Sequence, residues 1–230
     1  MAKLSGQSLV CDASSLISLT DSCFVHALYF LKRKHKGSFL IPPSVEYECV
    51  DHPMNLRMHS LFALRLKRAI MDGIIDVVDV PSRKRVEEIK WVANNSFYAS
   101  GAPLHLVNGG EAEMLALAAD SGVQNLLIDE RTTRMLAEDH ESLRLHLERE
   151  FSRTITVDEG NLSAFLRLTR GMRFFRSSEL LLLAYEKGYF ADYGELEAEA
   201  IEAALYRLKY SGCAVGMHEI EEYVGKHTQA

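Results

Sequence analysis

Acidic side chains at four places along this chain carry the chemistry its sequence can offer. Asp12 closes the short apolar run Ser8-Leu9-Val10-Cys11, and Asp129 closes Leu126-Leu127-Ile128, with Glu130 beside it. Glu46 and Glu48 lie on a helix just after a second apolar strand, and Glu111 opens a helix behind Gly109-Gly110. In an open parallel sheet the carboxyl ends of the strands form the ligand crevice, so acids far apart in sequence can meet there. Glu111 is the most informative. At about 100° per residue, Glu111, Met114, Leu115 and Ala118 share one helical face, so the acid lies in the stripe that must be buried. Glu113 and Asp120 then point the other way, toward solvent. A buried carboxylate needs a cation or several hydrogen-bond donors.

Each acid also has a plain structural reading. Asp12 could cap the helix that follows it, Glu111 could serve its own helix N-terminus, and Asp129 and Glu130 could cap the helix Arg131–Glu138. Independent caps, however, need not gather at one end of one sheet. Glu46 and Glu48 are two residues apart, about 200° around a helix, so both can hardly serve one site. Helical geometry does not choose between them.

The elements that must position these acids are legible in part. Ser8–Cys11 reads as a buried strand, and Ser14 or Ser15 as the N-cap of one helix through Leu16, Ile17, Phe24, Leu28 and Phe30. That helix ends in Lys32-Arg33-Lys34-His35-Lys36, where cations suit the helix dipole, and Gly37 stops it. A strand at 38–41 runs into Pro42-Pro43, a helix opens at Ser44 and is limited by Pro53, and another covers 61–71. The β-branched stretch Ile74–Val80, closed by Pro81, is a strand. After a less legible stretch come the helix Glu111–Ala119, the strand 126–128, a helix through Arg134, and a last strand at 154–157. Strands separated by helices imply parallel crossovers, hence an α/β fold with an open, mainly parallel twisted sheet flanked by helices. Residues 161–230 are helical in pattern, over Leu180–Tyr185 and Leu196–Tyr210. They form a helical extension packed on a core of residues 1–160, within one structural domain.

Composition narrows the function classes. With 26 basic and 32 acidic residues the net charge is −6, which argues against a surface coated for sequence-independent nucleic-acid binding. A local basic groove remains open: Arg167, Arg170, Arg173 and Arg176 recur every three residues. Cys11, Cys23, Cys49 and Cys213 form no CxxC pair and read as small, reduced core residues, and the nine histidines suggest no zinc site. No secretory signal or apolar stretch of membrane-spanning length is evident, so a cytoplasmic protein with no membrane partner is expected. Neither GxGxxG nor GxxxxGK[ST] occurs, and Asp12-Ala13-Ser14 lacks the second Asp used by aspartyl phosphohydrolases.

The acidic motifs, taken in order, resemble those of the PIN-domain family. Leu9-Val10-Cys11-Asp12-Ala13-Ser14-Ser15-Leu16-Ile17 is similar to the family's opening motif. Ile41-Pro42-Pro43-Ser44-Val45-Glu46-Tyr47-Glu48 resembles the second, in which a Glu lies three residues beyond a Val, and this alignment selects Glu48. Gly110-Glu111-Ala112-Glu113 resembles the third, and Leu127-Ile128-Asp129-Glu130-Arg131-Thr132-Thr133-Arg134 the fourth. The chain departs from the pattern at Glu130, where the family usually has Asp, and in longer segments at 50–109 and 161–176. The tail, over 180–189 and 204–212, is similar to helices carried by a prokaryotic branch of the family.

The resemblance implies a ribonuclease. Asp12, Glu48, Glu111 and Asp129, with Glu130 as an alternative at the last place, would hold Mg²⁺ or Mn²⁺ and hydrolyse RNA phosphodiester bonds. Ser14 would orient an acid or a water, and Arg131 and Arg134 would approach substrate phosphate. RNA is the implied substrate; an antitoxin-like or other protein partner and a homodimer are compatible with the family. The alternative is a PIN-fold RNA- or protein-binding module without nuclease activity.

Overall fold

The computed structural model describes residues 7–34, 37–80 and 82–227. Of the sequence expectations, the basic end at His35-Lys36 and the strand-closing Pro81 lie outside the described residues. In chain order the elements are β1 (Leu9–Cys11), α1 (Ala13–Asp21), α2 (Val25–Lys34), β2 (Phe39–Ile41) and α3 (Pro43–Glu46). A π-helical turn (Tyr47–Asp51) leads into α4 (His52–Met54), followed by α5 (Ser60–Met71), β3 (Ile75–Val77), α6 (Arg83–Asn94), β4 (Phe97–Ala99) and β5 (Ala102–Pro103). Then come α7 (Gly109–Ser121), β6 (Asn125–Leu127), α8 (Arg131–Glu138), α9 (His140–Phe151), β7 (Ile155–Val157) and α10 (Glu159–Leu168). The chain continues with β8 (Arg173–Phe175), α11 (Ser177–Glu186), a 3₁₀ segment (Ala191–Leu196), α12 (Glu197–Tyr210) and α13 (Met217–His227).

The main sheet has the order β3-β2-β1-β6-β8, and every neighbouring pair is parallel. This is the α/β architecture expected, with helices on both faces. Alternation along the strands divides the core. Val10, Leu40, Leu126 and Ile128 join α6, α7 and α10 on one side, while Cys11, Phe39, Ile41 and Leu127 join α1, α2, α11 and α12 on the other. Both faces are covered, so the strands read as continuous apolar runs rather than as alternating ones.

Several elements differ from the sequence reading. The long first helix is two, bent by 108° and broken at Cys23, which adopts a left-handed φ of 66°. Cys23 is therefore exposed and is not a core residue, whereas Cys11, Cys49 and Cys213 are buried. The N-cap of α1 is Asp12, not a serine: its carboxylate accepts from the Ser14 N–H at 3.1 Å. Pro53 does not end the second helix; the π-helical turn before it changes the hydrogen-bond spacing and carries the chain on to Met54. The stretch at 154–157 is a strand, but β7 pairs antiparallel with β4 in a separate three-stranded sheet, β5-β4-β7. Within the helical stretch 161–230, β8 supplies the edge strand of the main sheet. The arginines at 167, 170, 173 and 176 consequently occupy different elements, and Arg176 is buried.

The illegible stretch explains the largest error of orientation. There α6 lies against α7 and covers the face on which Glu113 and Asp120 were expected to meet solvent. Every residue from Glu111 to Ala118 is buried. Glu113 pairs with Arg83, and Asp120 with Arg85 at 3.1 Å, both arginines coming from α6.

Candidate active site

Strand register brings the acids to one edge. β1 pairs with β6 so that Cys11 lies beside Leu127, and the Asp12 N–H donates to the Leu127 carbonyl at 2.9 Å. β6 continues against β8 through the Ile128 N–H, which donates to the Phe175 carbonyl at 2.8 Å. Parity then separates the two acids of the fourth motif. Leu127 faces the core shared with α11 and Ile128 the core shared with α7, so Asp129 turns toward α11 and Glu130 toward α7.

Asp129 is 1% exposed, and its carboxylate accepts from the Ser177 N–H at 2.7 Å and from the Ser177 hydroxyl at 2.6 Å. It anchors the start of α11 to the end of β6. Glu130 caps α8, accepting from the Thr132 N–H at 2.7 Å and the Thr133 N–H at 2.6 Å, and its charge acts on Glu111.

Asp12 stands near two other acids, feeling the charge of Glu48 and acting in turn on Glu111. Asp12, 6% exposed, is pushed up to about 6 by burial and by the charge of Glu48, while the Ser14 hydroxyl and N–H pull it back. That hydroxyl donates to Asp12 Oδ2, so Ser14 orients the acid. Glu48 sits on the π-helical turn, exposed as a whole residue, and partial desolvation raises its pKa. A methyl group on Gly110 would lie 3.4 Å from Glu48 Oε2, so the bare glycine lets this carboxylate approach the positive end of α7. Of the second-motif pair, Glu48 rather than Glu46 acts on Asp12.

Glu111 combines both sequence readings. It completes a capping box: its N–H donates to Asn108 Oδ1 at 2.8 Å, and Glu111 Oε2 accepts from the Asn108 N–H at 2.7 Å. It is nevertheless 5% exposed, and burial first, then the charges of Glu130 and Asp12, push it up to about 8. The loop that delivers it is pinned by Asn94, a residue the sequence did not single out. Asn94 Oδ1 accepts from the Leu106 and Val107 N–H groups at 2.7 and 2.8 Å, and its amide donates to the Val107 carbonyl at 2.9 Å.

The cationic side chains do not complete this centre. Arg131 is exposed and donates to Met135 Sδ at 3.2 Å, along its own helix. Arg134 faces the acids Glu138 and Glu219. Arg176 bonds to Glu219, Glu179 and the Ala214 carbonyl, tying the α12–α13 connection and α13 to α11. Among the described residues, none of Asp12, Glu48, Glu111, Asp129 or Glu130 takes part in a salt bridge.

The donors present suit a hard divalent cation. They are carboxylate oxygens, and two of the acids that carry them, Asp12 and Glu111, are buried without a cationic side chain as counter-charge. Among the described residues no three Asp, Glu, His or Cys side chains close around a single point. A site of this kind matches an ion that keeps several waters and uses few carboxylates, rather than an all-protein cage. A separate cavity of about 580 Å³, lined by Leu9, Phe39, Asn125 and Leu180 among others, opens at the amino ends of the strands, away from the acids.

The structure defines an α/β protein whose parallel sheet has acidic side chains gathered near its carboxyl edge. A family model described as a PIN domain matches residues 8–146, and the chain belongs to that family. PIN domains are in general nucleases that work with divalent metal ions and bind RNA, sometimes alongside antitoxin partners. Searches among curated proteins and among solved structures found no match.

Proposed function

We propose that this PIN domain is an endoribonuclease dependent on Mg²⁺ or Mn²⁺, with Asp12, Glu48 and Glu111 as its metal-holding acids. The reading rests on one observation above the others: Asp12 and Glu111 are buried carboxylates with no cationic side chain to neutralise them, and Glu48 stands beside Asp12. Acids buried in that state are held toward their neutral forms unless a cation stabilises the charge, and a bound divalent ion would do so. A divalent ion bound there would activate water for in-line attack on a phosphodiester and stabilise the leaving oxygen.

The chain's own residues do the rest. Ser14 fixes the Asp12 carboxylate, Asn108 fixes one oxygen of Glu111, and the N-terminus of α7 supports Glu48. Glu130 adds negative potential from the first turn of α8, and Asp129 acts as an anchor through Ser177 rather than as a ligand. The test is cleavage of a single-stranded RNA with Mg²⁺ or Mn²⁺, with and without excess chelator, by the native chain and by Asp12→Asn. Cleavage stopped by chelator and lost in Asp12→Asn supports the reading. Undiminished cleavage in chelator overturns the metal role. RNA binding without cleavage under every condition favours a binding module on the same fold.

A further inference from the structure

We infer that Thr133 is a positioning residue of this metal site, its hydroxyl orienting the Glu111 carboxylate toward the cation; the inference rests on the metal-dependent reading above. Thr133 lies in the first turn of α8 and is 0% exposed. Its N–H donates to Glu130 Oε2 at 2.6 Å, which fixes the residue beside that acid. Its hydroxyl is buried without a hydrogen bond of ordinary geometry, and Glu111 is the carboxylate it acts on. A threonine deeper in a helix would turn its hydroxyl back to a carbonyl four residues earlier. In the first turn, four residues back is Asp129, outside α8.

A buried hydroxyl without a partner costs stability, and a valine of the same shape would remove that cost. Folding therefore gives no reason for the oxygen. A donor beside a metal-holding carboxylate does give one, because such outer partners fix the ligand's orientation. Asn108 already holds Oε2 of Glu111, and the Thr133 hydroxyl is placed to hold the carboxylate's rotation once a cation draws it.

The experiment uses the full chain, stripped of metal, as wild type, Thr133→Val and Thr133→Ser. Mn²⁺ affinity is measured by calorimetry or by electron paramagnetic resonance of free Mn²⁺, and thermal melts are run in chelator. We expect Thr133→Val to bind Mn²⁺ roughly 10-fold or more weakly, and Thr133→Ser to stay within about 3-fold of wild type. In chelator, Thr133→Val should melt at or above the wild-type temperature. Wild-type Mn²⁺ affinity in Thr133→Val overturns the inference alone, as does a Thr133→Ser variant as weak as the valine. A wild-type chain that does not bind Mn²⁺ overturns the metal reading itself.

Discussion

Replacing Glu111 by Gln tests the charge state of the centre directly. The substitution keeps an oxygen for the Asn108 N–H, so the capping box can survive, and removes only the ionisable group. Burial raises Glu111 from the ordinary 4.5 to about 8, so the folded chain holds this proton more tightly than the unfolded chain. The resulting stabilisation is complete below about 4.5 and is lost as pH rises from there through about 8. Each tenfold in proton affinity is worth about 1.4 kcal/mol, so the full loss for the isolated group is about 5 kcal/mol. Part of the rise is repulsion from Glu130 and Asp12, which relaxation and counter-ions relieve, so about 2–5 kcal/mol is the working range. In chelator at about pH 9, Glu111→Gln should therefore melt higher than wild type by roughly 4–20 °C, given about 2–4 °C per kcal/mol for a chain of this size. At about pH 5 the two should differ by less than about 1 kcal/mol. Saturating Mn²⁺ should reverse the order at high pH by stabilising wild type and not the variant. Melts or urea titrations at both pH values, with chelator and with Mn²⁺, decide the matter. If Glu111→Gln melts lower than wild type in chelator at high pH, Glu111 is chiefly a cap and its buried charge does not destabilise the fold.

Asp12→Asn should abolish RNA cleavage and, in chelator at neutral pH, melt at or above the wild-type temperature, because Asp12 is held up to about 6 by burial and Glu48. A lower melt would make Asp12 chiefly the cap of α1. Glu48→Gln should eliminate activity while Glu46→Gln leaves most of it; equal losses would remove the distinction drawn from the action of Glu48 on Asp12. Ser177→Ala should lower stability by about 1–3 kcal/mol, since the buried Asp129 loses its hydroxyl donor, and should leave Mn²⁺ affinity within about 3-fold. A large loss of Mn²⁺ affinity in Ser177→Ala would instead place Asp129 among the ligands.

The layout of the sheet is legible in the residues alone. Apolar runs closed by Asp12 and Asp129, with helices between them, dictate a parallel sheet, because parallel strands need crossovers and crossovers cover both faces. The helical stripe through Met114 and Leu115 also required Glu111 to be buried, and it is. What no local pattern could supply was the side of the sheet on which each acid falls. Leu126, Leu127 and Ile128 are all apolar, so alternation is invisible there, and only pairing with β1 and β8 assigns Glu130 to α7 and Asp129 to Ser177. Glu113 reads as solvent-facing because no local pattern says which face of α7 the helix α6 will cover, and the α6 arginines meet that face only in the folded chain. Ser177 and Asn94 lie outside every motif, and Thr133, though inside the fourth, is not one of its acids or cations. Their roles come from partners at 129, 106–107 and 111, and contacts across such separations exist only once the sheet has closed its register.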